Sequence, residues 1–177
     1  MGVIMTSRMA INFPVLLLLS LFTLTTHAEQ KKMNHDSLWQ ITKELKSLWG
    51  KKIDAVSALL NQPVIPYKPT AKDRFTSAPF TLNDGITISN LDVRLSPNGG
   101  GTVKLVSFSI SGECITLEEV QDNFPDVTLR FVPREKLPGR TFGYLTARDN
   151  KQLAWGFGFP ALDRKCLSEI TMSDYDF

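Results

Sequence analysis

Seven consecutive residues near the carboxy terminus, Leu153-Ala154-Trp155-Gly156-Phe157-Gly158-Phe159, alternate large and small without exception. A strand sends successive side chains to opposite faces, so here every large side chain falls on one face and only alanine and glycine on the other. The large face reads as core, each buried ring contributing roughly 2–3 kcal/mol from area alone. The other face is smooth enough for a second sheet, a helix or a partner to approach closely. One such strand already demands a sheet covered on one side by other elements.

That strand lies between Cys114 and Cys166, the only two cysteines. What they do depends on the compartment, and the amino terminus speaks to that. Arg8 is the only charge before an apolar stretch from Phe13 to Leu24 that contains Val15-Leu16-Leu17-Leu18-Leu19. Thr26-His27-Ala28 then offers a small-x-small cleavage site, and polarity changes at Glu29-Gln30-Lys31-Lys32. This pattern predicts a cleaved signal peptide over residues 1–28. The apolar run falls short of the roughly 20 residues a spanning helix needs, and no cysteine stands at the cleavage site to carry a lipid. We therefore expect a periplasmic or secreted protein, soluble after cleavage and without stable membrane insertion. In an oxidising compartment the two cysteines are read as one disulfide, Cys114–Cys166.

The mature chain, residues 29–177, suits a single domain. Setting aside Arg8 leaves 19 basic against 18 acidic residues, a net charge of +1. That balance gives no electrostatic case for a nucleic-acid partner.

Along the chain, Glu29 to Asp36 reads as a polar, frayed lead-in. Leu38, Ile41, Leu45 and Leu48 then form one helical stripe capped by Asp36 or Ser37 and ended by Gly50. A second helix carries Ile53, Val56, Leu59 and Leu60 inward and stops at Asn61-Gln62-Pro63. Pro63, Pro66 and Pro69 leave only an extended edge segment, leading into a strand from Phe75 to Leu82. Asn83-Asp84-Gly85 predicts a hairpin. The next strand, Ile86 to Leu95, changes phase near Ser89-Asn90, which predicts a bulge. Ser96 to Gly101 is the loosest loop, and Val103 to Ile110 returns as a strand with Val106, Phe108 and Ile110 on one face.

Thr116-Leu117-Glu118-Glu119 matches a capping box, in which Glu119 reaches back to the helix start. The short helix has Leu117, Val120 and Phe124 inward and ends before Pro125. Strands are expected at 127–132, 142–147, 153–159 and 166–172, with a basic loop from Pro133 to Arg140 and an acidic tail from Ser173 to Phe177.

The expected class is α+β, short helices on a largely antiparallel sheet. It forms either one ordinary domain over 29–177 or two tandem helix–strand–hairpin units, 37–112 and 113–172. Gly50-Lys51-Lys52-Ile53-Asp54-Ala55-Val56, leading into Leu60-Asn61-Gln62-Pro63, resembles the short helix and proline stop of the beta-lactamase inhibitor protein family and of small outer-membrane assembly proteins. The resemblance implies helix-plus-antiparallel-sheet units and an exported binding role. It covers a minority of the chain and transfers no functional residue.

Chemistry is sparse. Only His35 survives cleavage, in the lead-in, so no Ser–His or Cys–His arrangement is expected. No cluster has metal-ligand spacing, no cofactor motif appears, and Gly99-Gly100-Gly101 lacks the Lys-Ser/Thr and helix of a phosphate loop. Glu118-Glu119 is read as helix amino-terminal charge. We expect a non-enzymatic exported binding protein: a periplasmic inhibitor or immunity protein that occludes a secreted toxin or cell-wall hydrolase. Loops on a rigid sheet are the usual place for recognition, so Asn98, Gly99, Arg134 and Lys136 are the candidate anchors. The alternatives are an envelope scaffold or assembly factor, and an enzyme with a carboxylate site.

Overall fold

A computed structural model describes residues 35–96 and 101–174. The leader at 1–28, and Asn98 and Gly99 in the glycine loop, lie outside the described residues.

The fold is α+β. Among the described residues three short helices, α1 (Asp36–Leu45), α2 (Ile53–Leu60) and α3 (Leu117–Asn123), accompany nine strands. In chain order the strands are β1 (Ile65–Pro66), β2 (Arg74–Thr76), β3 (Phe80–Thr81), β4 (Thr87–Leu95), β5 (Val103–Ser111), β6 (Thr128–Phe131), β7 (Thr141–Leu145), β8 (Ala154–Pro160) and β9 (Glu169–Ser173). They form one antiparallel sheet in the order β1-β2-β4-β5-β9-β8-β7-β6, with β3 also paired to β4. In the sheet, β5 pairs antiparallel with β9, which brings the run β1-β2-β4-β5 beside the run β6-β7-β8-β9. β1 and β6 are the two edges.

Local signals explain the helix ends. Gly50, at φ 75°, turns the chain after α1 and its 3-10 extension, and Asn61, at φ 49°, takes the left-handed position after α2. The start of α1 differs from expectation. Its cap position is His35, which makes no side-chain cap. The amide of Leu38 instead donates to Asp84 Oδ2 at 2.9 Å, so a hairpin residue 46 positions away supplies the capping carboxylate.

The expected strand from Phe75 to Leu82 is interrupted and becomes β2 and β3, which pair with opposite ends of β4. Between those ends the β4–β5 register shifts at Ser89/Asp92, with Asn90 at φ 49°. The phase change in the sequence is this bulge.

One face of the sheet carries the core. Val93, Val106, Phe108, Ile170, Met172, Trp155, Phe157 and Phe159 are buried and join Leu38, Leu45, Val56, Leu60 and Val120 of the helices in one cluster. Phe124, just past α3, links Trp39 to β8, its ring 6.0 Å from Trp39 and 5.0 Å from Phe157. Cys114 and Cys166 form a disulfide with Cα atoms 5.0 Å apart. Beside it the amide of Leu167 donates to Ile115 O at 2.8 Å, tying the entry of α3 to the approach to β9.

Candidate functional site

With the helices on one face, the pleat leaves the other face of the sheet open, and its residues follow from register. One row across the strands reads Phe131, Gly143, Gly158, Glu169, Ser109. The next reads Leu145, Gly156, Thr171, Ser107, Asp92.

The two sides of this face differ in charge and in relief. On the β4 side Asp92 is held between two guanidinium groups, accepting from Arg74 Nε at 2.8 Å and from an Arg94 terminal nitrogen at 2.9 Å. Arg74 also lies over the Tyr67 ring at 4.1 Å. Those charges already satisfy one another. On the β6–β9 side the glycines leave a groove of about 310 Å³ lined by Arg130, Phe131, Thr141, Gly143, Leu145, Gly158, Glu169 and Thr171, among others. Gly156 and Gly158 are buried in its floor although they face outward, and the side chains of Glu169 and Thr141 stand over Gly158. A Cβ at Gly143 would stand 3.0 Å from Phe131 Cβ, and one at Gly158 3.2 Å from Glu169 Cβ. A side chain at either position would crowd its neighbour and narrow the groove.

Polar groups in the groove converge on one point. Ser107 Oγ donates to Glu169 Oε1 at 3.0 Å and lies 2.8 Å from Thr171 Oγ1. Glu169 Oε2 has no partner among the described residues. The outer wall sets the apolar Phe131 beside the cationic Arg130. All four residues of β6 are exposed, and Leu129, Phe131 and Val132 stand among the exposed large hydrophobic residues. A sheet edge with unpaired amides and apolar side chains is a common docking element.

The loop after β6 holds two of the predicted anchors. Arg134 lines a hollow of about 420 Å³ with Phe131, Val132, Pro133, Glu135 and Arg140, while Lys136 is exposed outside it. The loop therefore continues the groove's outer wall.

A third hollow, of about 330 Å³, contains Asp126 and Asp149 but offers no acid–base pair. Asp126 Oδ2 accepts from the Ala147 amide at 2.9 Å. Asp149 Oδ1 accepts from the amides of Lys151 and Leu153, and Oδ2 pairs with Lys46 at 2.8 Å. Burial acts to raise the Asp149 pKa, but the Lys46 bond and these amides outweigh it and hold the carboxyl below its ordinary 3.8. A carboxylate so committed stays ionised and anchors the turn before β8.

Two residues take roles the sequence did not suggest. His35 is buried, 2% exposed, rather than part of a frayed lead-in. Its Nδ1 donates to Glu119 Oε1 at 2.6 Å, and Trp39 Nε1 donates to the same oxygen at 3.1 Å. The Thr116 hydroxyl accepts from the Glu119 amide as the capping box requires, but the Glu119 carboxylate leaves the helix start to bridge α3 to α1. Ser173, expected in the tail, is a fully buried member of β9. Among the described residues no three His, Cys, Asp or Glu side chains could jointly hold a metal ion, and no helix is long and apolar enough to cross a membrane. Comparison with protein families, with curated proteins and with solved structures finds no match to this chain.

Proposed function

We propose that this is an exported binding protein, a periplasmic inhibitor or immunity protein, that occludes the active site of a secreted toxin or cell-wall hydrolase. The observation that carries the reading is the open groove on the β6–β9 side of the sheet. A sheet face in a small domain is ordinarily covered or uniformly polar. Here a hollow floored by glycine and walled by Phe131 and Leu145 adjoins the exposed apolar edge strand. Most of its floor is sheet backbone, and the disulfide and the paired strands hold that backbone still, which limits the entropy lost on binding.

Interfaces of this kind bury about 1,600 Å² and draw their affinity from a few anchors. Phe131 and the groove supply a central apolar contact. Arg134 and Lys136 on the adjoining loop would form surrounding contacts, and Asn98 and Gly99, which lie outside the described residues, stay candidate anchors from the sequence alone. Occlusion needs no catalytic group from this chain, only a surface that fills a cleft.

The test is affinity capture with the protein immobilised, from envelope extract supplemented with the exported product of the neighbouring gene. The captured enzyme is then titrated for activity. A stoichiometric hydrolase whose activity falls to baseline at one equivalent is the expected result. Recovery of no stoichiometric partner refutes the binding reading. A partner whose activity is untouched refutes inhibition and leaves a scaffold.

A further inference from the structure

We propose that the groove selects a partner presenting a cationic side chain, Arg or Lys, with its charged head on Glu169 and its aliphatic stem along the floor toward Phe131. This deepens the proposed binding function and rests on it. The groove has a carboxylate at one end and Phe131, beside Arg130, at the other. Glu169 stands on β9 with Oε1 held by Ser107 and Oε2 directed to no protein partner among the described residues. Moving outward from it, Gly158 and Gly143 bring the floor down to backbone, and Phe131 closes the far side. Neighbouring strands lie about 4.8 Å apart, so Glu169 and Phe131, three strands apart, are separated by about 14 Å at the backbone. A guanidinium or ammonium on a chain of methylene groups matches this sequence of charge and then apolar surface.

The charges around the groove set its polarity. Asp92, the other carboxylate near this row, is bound by Arg74 and Arg94, so Glu169 is the carboxylate left to attract a cation. Arg130 lies on β6, at the opposite wall, and is exposed. It disfavours a ligand entering with its cation toward β6 and orients the head toward β9. Ser107, by fixing Oε1, aims the remaining oxygen into the groove.

The experiment uses the protein labelled with 15N and two blocked tripeptide probes, acetyl-Gly-Arg-Gly-amide and its neutral citrulline counterpart, followed by amide chemical shifts. The arginine probe is expected to shift Gly143, Gly158 and Glu169 in a saturable manner, and the citrulline probe to leave them in place. Glu169→Gln keeps the shape of the side chain and should weaken the arginine probe about 10-fold or more, the loss of one charge-assisted hydrogen bond. Arg130→Gln removes a repelling charge from the groove and should tighten the arginine probe.

Equal binding of both probes, an unaffected Glu169→Gln variant, or shifts confined elsewhere would each overturn the proposal. Loss of arginine-probe binding in Arg130→Gln with retention in Glu169→Gln would overturn it as well. A captured enzyme whose affinity is unchanged by Glu169→Gln overturns the cation anchor and leaves the binding function standing. Probe binding without any captured partner does the reverse.

Discussion

Replacing Glu119 by Ala tests the least local feature of this core. One carboxylate oxygen accepts from both Trp39 Nε1 and His35 Nδ1, and these residues are 3% and 2% exposed. Truncation leaves two buried donors without their acceptor, and an orphaned buried donor costs about 1–3 kcal/mol. Two of them set a range of about 2–6 kcal/mol. The Glu119 side chain is itself 12% exposed, so water can enter the space and the lower half of the range applies, about 3 kcal/mol. Against a total stability of about 5–15 kcal/mol for a domain of this kind, that is a large loss.

The helix cap confounds little, because Thr116 Oγ1 bonds the backbone of residue 119, whatever its side chain. Urea unfolding followed by tryptophan fluorescence reports the change in midpoint at constant slope. Trp39→Phe removes one donor while keeping an aromatic in place, so a double-mutant cycle should return a coupling of about 1 kcal/mol or more between positions 39 and 119. A loss below about 1 kcal/mol in Glu119→Ala, or strict additivity with Trp39→Phe, would refute the claim that this oxygen ties α1 to α3.

Other expectations are as specific. The disulfide closes a loop with a sequence separation of 52. Cys114→Ser with Cys166→Ser should cost about 4 kcal/mol in the chain-entropy account, read as a lower urea midpoint that added reductant no longer moves. Asp84→Ala removes the remote acceptor of the Leu38 amide. It should cost about 1 kcal/mol and raise hydrogen exchange at the start of α1. Asp149 has a folded pKa below its ordinary 3.8, so its contribution is complete above that value and is lost as pH falls through the lower, folded one. The stability gap between the protein and Asp149→Asn should therefore be constant near neutrality and close only in acid, and Lys46→Met should narrow it. Gly143→Ala places a Cβ 3.0 Å from Phe131 Cβ. Because Phe131 is half-exposed on an edge strand it can yield, so stability should change by under about 1 kcal/mol while capture of the partner weakens.

Much of the architecture was legible in the residues because the signals are short-range. Strict alternation at 153–159 marked β8, its buried face and its smooth face. Asn61 before Pro63 marked the end of α2, and the phase change at Ser89-Asn90 marked the β4 bulge. Each depends on backbone preferences or side-chain direction within a few residues. The cysteine pair followed from the count together with the expected export.

Tertiary structure decided the rest. Nothing local says that β5 pairs with β9, so nothing local says that β6 ends as an exposed edge with Phe131 on its rim. The groove needs Gly143, Gly156 and Gly158 on two neighbouring strands at matching register, which is set by pairing between distant segments. Asp84 caps α1 and Glu119 binds His35 and Trp39 across 46, 84 and 80 positions. Sequence determined which elements form and which of their faces are apolar, because those are properties of neighbouring residues. Which elements become neighbours was decided only by packing those faces into one core, and with it the open groove, its carboxylate and its glycine floor.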